Sequence, residues 1–260
     1  MTNRRIAAIT ISTALTVALV ADLVAPATVA EASPMVMTKA VPQTGGLAET
    51  AAAPAVSAAS RSFTPALGLA PAPLSPFADV AVGADPLAGY AKVAIAEWYI
   101  FLTTGLGEHL RRFIEIRDAL ATAAATQLEI DPERMKAAWA KADHRHQLVL
   151  MAALTQLGTP YRKRVNKPGR GFDCSGFTSF AWAATNVVMP TQSRRQINMV
   201  TPIDPSVAQA GDLVYYPGHI ALYLGVDQAL LHAADYGTDV TFGHLRSGRT
   251  SSVRFGAPLA

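Results

Sequence analysis

The chain contains one cysteine, Cys174, so among its own residues the thiol has no disulfide partner. It lies in the run Gly171-Phe172-Asp173-Cys174-Ser175-Gly176-Phe177. A free cysteine is often a small apolar filler, but its neighbours here point to chemistry. Phe177, Phe180, Ala181 and Ala184 follow at the spacing of one helix face. Asp173 and Gly171 supply turn and cap chemistry ahead of them. Cys174 is therefore expected at a helix N-terminus, where unpaired N–H groups and the helix dipole favour thiolate. A thiol nucleophile needs a base, and the base needs a group to orient it. His219 opens an alternating run with His219, Ala221 and Tyr223 on one face and Ile220, Leu222 and Leu224 on the other. It is the candidate base. His232 lies on the returning strand of the same hairpin, within cross-strand reach, and is the candidate orienter. A zinc site built from Cys174, His219 and His232 is the competing chemistry, without the closely spaced ligand pair such sites commonly have.

Elements must hold these residues in place. Leu148, Met151, Ala152 and Thr155 predict a helix ending at Gly158, with Pro160 beyond it. A basic loop follows, with Arg162, Lys163, Arg164, Lys167 and Arg170, and reads either as a solvated loop or as a site for an acidic polymer. Then come the cysteine helix, a strand over 212–216, a strand over 219–225, a turn at Val226-Asp227-Gln228 and a returning strand over 229–233. A cysteine-bearing helix packed on antiparallel strands makes an α+β domain over 143–260.

Ahead of this domain the chain divides into three parts. Residues 1–32 read as a secretory signal: Arg4 and Arg5, an apolar run from Ile6 to Ala21, and a cleavage site at Ala30-Glu31-Ala32. An uncleaved membrane anchor is the alternative, which Asp22 and Pro26 disfavour. Residues 33–85 hold seven of the 17 prolines and no hydrophobic period, and read as a disordered or extended linker. Residues 86–142 predict a helical segment: two helices broken near Gly105-Leu106-Gly107, and a third starting at Asp131-Pro132-Glu133. It could pack on the following domain, mask its site, or meet a cell-wall protein partner. The net charge of +3 implies no nucleic-acid partner.

Five short runs carry a family resemblance: Leu157-Gly158-Thr159-Pro160-Tyr161, the run from Gly171 to Phe177, Gln192-Ser193 with Gln196, Gly211-Asp212-Leu213-Val214-Tyr215-Tyr216, and the run from His219 to Gly225. In this order they resemble the catalytic domain of the NlpC-type bacterial cell-wall peptidases, a papain-like group. The resemblance implies Cys174 as nucleophile, His219 as base and His232 as orienter, with no metal or other cofactor. It further implies that Tyr161 lines the cleft and helps hold the oxyanion, and that Asp173, Ser175 and Ser193 help seat the substrate. The implied reaction is hydrolysis of peptidoglycan stem peptides, between D-glutamate and diaminopimelate or lysine, outside the cytoplasm. An inactive scaffold or binding protein of the wall, and a thiol acyltransferase or amidase, are the alternatives. The interval from His219 to His232 is one residue longer than the family's common hairpin, so a bulge or a longer turn must realign His232.

Overall fold

The structure is a computed structural model that describes residues 75–245 and 252–258. The expected signal peptide (1–32) and most of the expected linker lie outside the described residues. Four helices come first: α1 (Pro86–Thr104), α2 (Gly107–Gln127), α3 (Pro132–Lys141) and α4 (His144–Leu154). Three of them start by the same rule. Asp85, Asp131 and Asp143 each accept a backbone N–H of the first turn, and a proline follows Asp85 and Asp131. Gly105, in the left-handed conformation, ends α1 and allows α2 to fold back on it. Among the described residues, no helix is long and apolar enough to cross a membrane.

The remaining elements are a small hairpin, β1 (Asn166–Lys167) with β2 (Gly171–Phe172), then α5 (Cys174–Ala183) and α6 (Ser193–Met199), then strands β3 (Thr201–Ile203), β4 (Leu213–Tyr216), β5 (His219–Tyr223), β6 (Ala229–Ala233), β7 (Val240–His244) and β8 (Arg254–Ala257). The six strands β3 to β8 form one sheet in the order β3-β8-β4-β5-β6-β7, and every pairing is antiparallel. The domain is α+β. Ile220, Leu222, Leu231 and Ala233 turn one sheet face toward Phe177, Ala181 and Trp182 of α5. Val214, Ala221, Tyr223 and Leu230 form a smaller cluster on the other face. Burying side chains of this size contributes roughly 1.5–3 kcal/mol each, which anchors the cysteine helix firmly on the sheet.

The helical segment and the sheet domain share a single core. Ala91 and Ile95 of α1, Leu120 of α2 and Trp139 of α3 belong to the cluster that contains Leu150, Phe177 and Leu222. The Trp139 indole N–H donates to the Leu224 carbonyl at 3.1 Å and ties α3 to the end of β5. Residues at the end of the expected linker also pack. Phe77 is buried and meets Phe180 of α5 edge-on, with ring centroids 6.0 Å apart. Gly83 donates to the Thr155 carbonyl at 2.8 Å, and the buried Gln156 amide donates to the Ala81 carbonyl at 2.9 Å.

Candidate active site

The first turn of α5 is built by its own residues. One Asp173 carboxylate oxygen accepts the Gly176 N–H at 2.7 Å and the other accepts the Arg164 N–H at 2.8 Å. One side chain thus caps the helix and pins the loop ahead of the β1–β2 hairpin to it. Cys174 is the first residue of the helix and is half-buried. Behind it, the fully buried Gln196 donates to the Ser175 and Pro190 carbonyls, both at 2.8 Å, and accepts from the Thr178 hydroxyl at 2.7 Å. The Ser175 hydroxyl donates to the Thr191 carbonyl at 2.8 Å. These bonds lock the 189–192 loop and α6 against the first turns of the cysteine helix.

The base and orienter candidates arrive on the β5–β6 hairpin. Leu222 pairs with Leu231 and Tyr223 with Leu230. The strands are joined by the residues 224–228, where Gly225 and Asp227 both take positive φ. The two paired rungs, Leu222–Leu231 and Tyr223–Leu230, lie directly beside this turn. Nε2 of His219 and Nδ1 of His232 lie 3.0 Å apart, at hydrogen-bond distance, with one nitrogen supplying the shared proton. The two rings meet edge to face, their planes at 84°.

Tyr161, Cys174, Tyr216, His219 and His232 line one cleft of about 270 Å³. Pro217, Gly218, Ala234, Asp235 and His244 complete its walls. No residue of 86–142 is among those that line it.

The electrostatics of the thiol differ from the local expectation. Burial pushes the Cys174 thiol up, and the charge of Asp173 adds to this. The backbone N–H groups of Ile220, Ser175 and Cys174 itself pull it down without reversing the direction. A helix N-terminus favours thiolate, but desolvation by the surrounding walls outweighs it. Burial also pushes up the Tyr161 hydroxyl, helped by the nearby charges of Cys174, Asp173 and Asp235.

The other residues expected to seat substrate are placed differently. Asp173 and Ser175 direct their polar atoms into the helix start, and neither lines the cleft. Ser193 is half-buried at the first position of α6 and is not part of the walls either. Sequence reasoning missed Tyr216, whose ring lies against that of His219 with centroids 5.1 Å apart and planes at 30°. Its position three residues before His219 was an available signal. It also missed Tyr236, which packs on Tyr161 with centroids 5.2 Å apart, and His244, which only β7 brings near.

Residues 158–255 match the NlpC/P60 family. This part of the chain is an NlpC/P60 domain. A protein of Corynebacterium glutamicum named as a probable endopeptidase is 34% identical over 124 residues, which cover 46% of this chain and 58% of that protein. The peptidoglycan endopeptidase RipB of Mycobacterium tuberculosis is 35% identical over 124 residues, covering 41% of this chain and 51% of that protein. The chain thus spans about half the length of these two curated relatives. The solved P60 domain of an antigen from M. avium subspecies paratuberculosis is 25% identical, with a TM-score of 0.39, and covers 45% of this chain and 96% of that one. In the NlpC/P60 domain the basic loop, Arg162 to Arg170, leaves Tyr161 and lies exposed beside the cleft. Among the described residues none of its five cations has an ion-pair partner.

Proposed function

We propose that the chain is an exported cysteine endopeptidase that hydrolyses peptide bonds in peptidoglycan stem peptides, of the D-glutamyl–diaminopimelate type. The observation that carries this reading is the cleft that gathers Cys174, at the start of a helix, with a His219–His232 pair bonded at 3.0 Å. The relatives named as endopeptidases support the same class of reaction and a site of action at the cell wall.

In this reading His219 takes the Cys174 proton, and the sulfur attacks the carbonyl carbon of the scissile bond. The resulting oxyanion is held by the Cys174 backbone N–H and the Tyr161 hydroxyl. Collapse breaks the C–N bond, and His219 returns the proton to the leaving amine. Water, deprotonated by His219, then cleaves the thioester and regenerates the thiol. Because burial pushes the Cys174 thiol up, its reactivity depends on His219 more than on the helix dipole. His232 engages Nε2 of His219 and so directs Nδ1 to the thiol. Asp173 and Ser175 serve by fixing the first turn of α5, and the exposed cations of residues 162–170 favour the approach of a stem rich in carboxylates.

The test is incubation of the full chain with purified peptidoglycan, with Cys174→Ala as control and mass spectrometry of the released fragments. Fragments cut within the stem, absent with the control, are expected. Binding without cleavage would point to a wall-binding scaffold. Transfer of the acyl group to an added amine in place of water would point to an acyltransferase.

A further inference from the structure

Gly243 is the fourth of the five residues of β7, and a glycine within a strand weakens it and commonly marks a close approach. Its φ lies outside the left-handed region, so its backbone conformation is open to any residue. What the position lacks is room. A Cβ there would lie 2.8 Å from His232 Nε2, with His232 Cε1 at 3.5 Å and Cδ2 at 3.7 Å as its next neighbours. All three of the nearest atoms belong to one imidazole. The register explains the meeting: Leu230 pairs with Gly243 and His232 with Thr241, which sets Gly243 diagonal to His232 on the same face.

We infer that Gly243 is a positioning residue for the reaction, a slot that seats the His232 ring so that its Nδ1 meets His219. This inference rests on the catalytic reading of Cys174, His219 and His232. The ring is held from two sides, by the 3.0 Å bond to His219 and by the bare Cα of Gly243. An alanine at 243 would force the ring to turn or slide by about 0.7 Å to reach ordinary contact distance. That movement misdirects the hydrogen bond to His219, while the alanine itself suits the strand backbone.

A double-mutant cycle tests this, with Gly243→Ala made in the full chain and in the His232→Ala background. The readouts are kcat/KM on a stem peptide, the pH profile of Cys174 alkylation by iodoacetamide, and the thermal midpoint. Gly243→Ala is expected to lower kcat/KM by about tenfold or more in the wild type and by less than about twofold once His232 is gone, a coupling typical of residues in contact. It should also shift the alkylation profile in the direction of His232→Ala, with the thermal midpoint retained. Equal losses in both backgrounds, or an unchanged profile in Gly243→Ala while His232→Ala changes it, would overturn the slot. If the wild type cleaves no stem peptide, the catalytic reading fails. The alkylation profiles then still decide whether Gly243 seats His232.

Discussion

Two histidines of this molecule sit in contrasting surroundings. His146, in the first turn of α4, places Nδ1 at 2.7 Å from Asp143 and Nε2 at 3.0 Å from Asp212. The His146 and Asp212 side chains are only 3% and 2% exposed, and the edge of Trp182 closes the ring in. Burial alone would lower the pKa of His146, but the hydrogen bond and charge of Asp212, followed by those of Asp143, leave it raised. His219 instead bonds a second imidazole, stacks on Tyr216 and forms part of a cleft wall. The contrast bears on the proposed role of His219. A ring between two carboxylates is favoured in its charged form and works as a strut joining α4 to the residue just before β4. A ring beside a second imidazole, in a cleft, is placed to exchange a proton with a group bound there.

This contrast can be broken most sharply at His219. His219→Ala should reduce stem-peptide cleavage by about 10³-fold or more, as loss of a general base does, with an unchanged unfolding midpoint. Steady-state kinetics with a urea melt on the same sample checks both halves. The strut should show the reverse pattern. His146→Ala leaves the buried Asp212 without its imidazole partner and should cost about 3 kcal/mol or more of stability. Activity per folded molecule should stay within about threefold, since no reacting group is touched. A large loss of activity at full folding would erase the distinction between the two histidines.

A smaller effect is expected at the orienter. His232→Ala should lower kcat/KM by roughly 100-fold, less than loss of the nucleophile, because the third member of such a set costs less. A near-normal rate would show that His219 is oriented by another group. The smallest effect is the pH dependence of stability. His146 is raised in the folded state, so its contribution is fully present below its unfolded pKa, about 6.5, and is lost as pH rises through the folded value. Burial raises Asp143, but its bonds and charge contacts with His146 and its bond from Arg145 leave it lowered. Its contribution is present above the unfolded carboxylate value and is lost as pH falls through the folded one. Thermal midpoints across pH 4–9 should therefore sag at both ends, and His146→Ala should flatten the alkaline side.

Much of the site was legible because it is local. The cap at Asp173, the helix behind Cys174 and the β5–β6 hairpin are set by residues within a few positions of one another, and each forms where its residues point. The strands β7 and β8 were not foreseen. Each is short and carries a glycine, and β8 finds its place between β3 and β4 only through pairing with residues some forty positions away or more. The His146–Asp212 strut was hidden for a similar reason, since its partners are separated by 66 positions and neither is unusual where it stands. The expected part of Asp173, Ser175 and Ser193 in seating substrate came from likeness of sequence, whereas side-chain direction at a helix start depends on what packs around it.

By itself the sequence determined which residues could react: a lone thiol at a helix start, and two histidines facing each other across a hairpin. These follow from backbone propensities that act over a few residues. Only the tertiary structure decided that His219 and His232, rather than His146, share a cleft with the thiol. It also set the direction in which the thiol is pushed, and it left a bare Cα at Gly243 beside the His232 ring. Desolvation and close packing act between segments far apart in the chain, so neither can be read from neighbours in sequence.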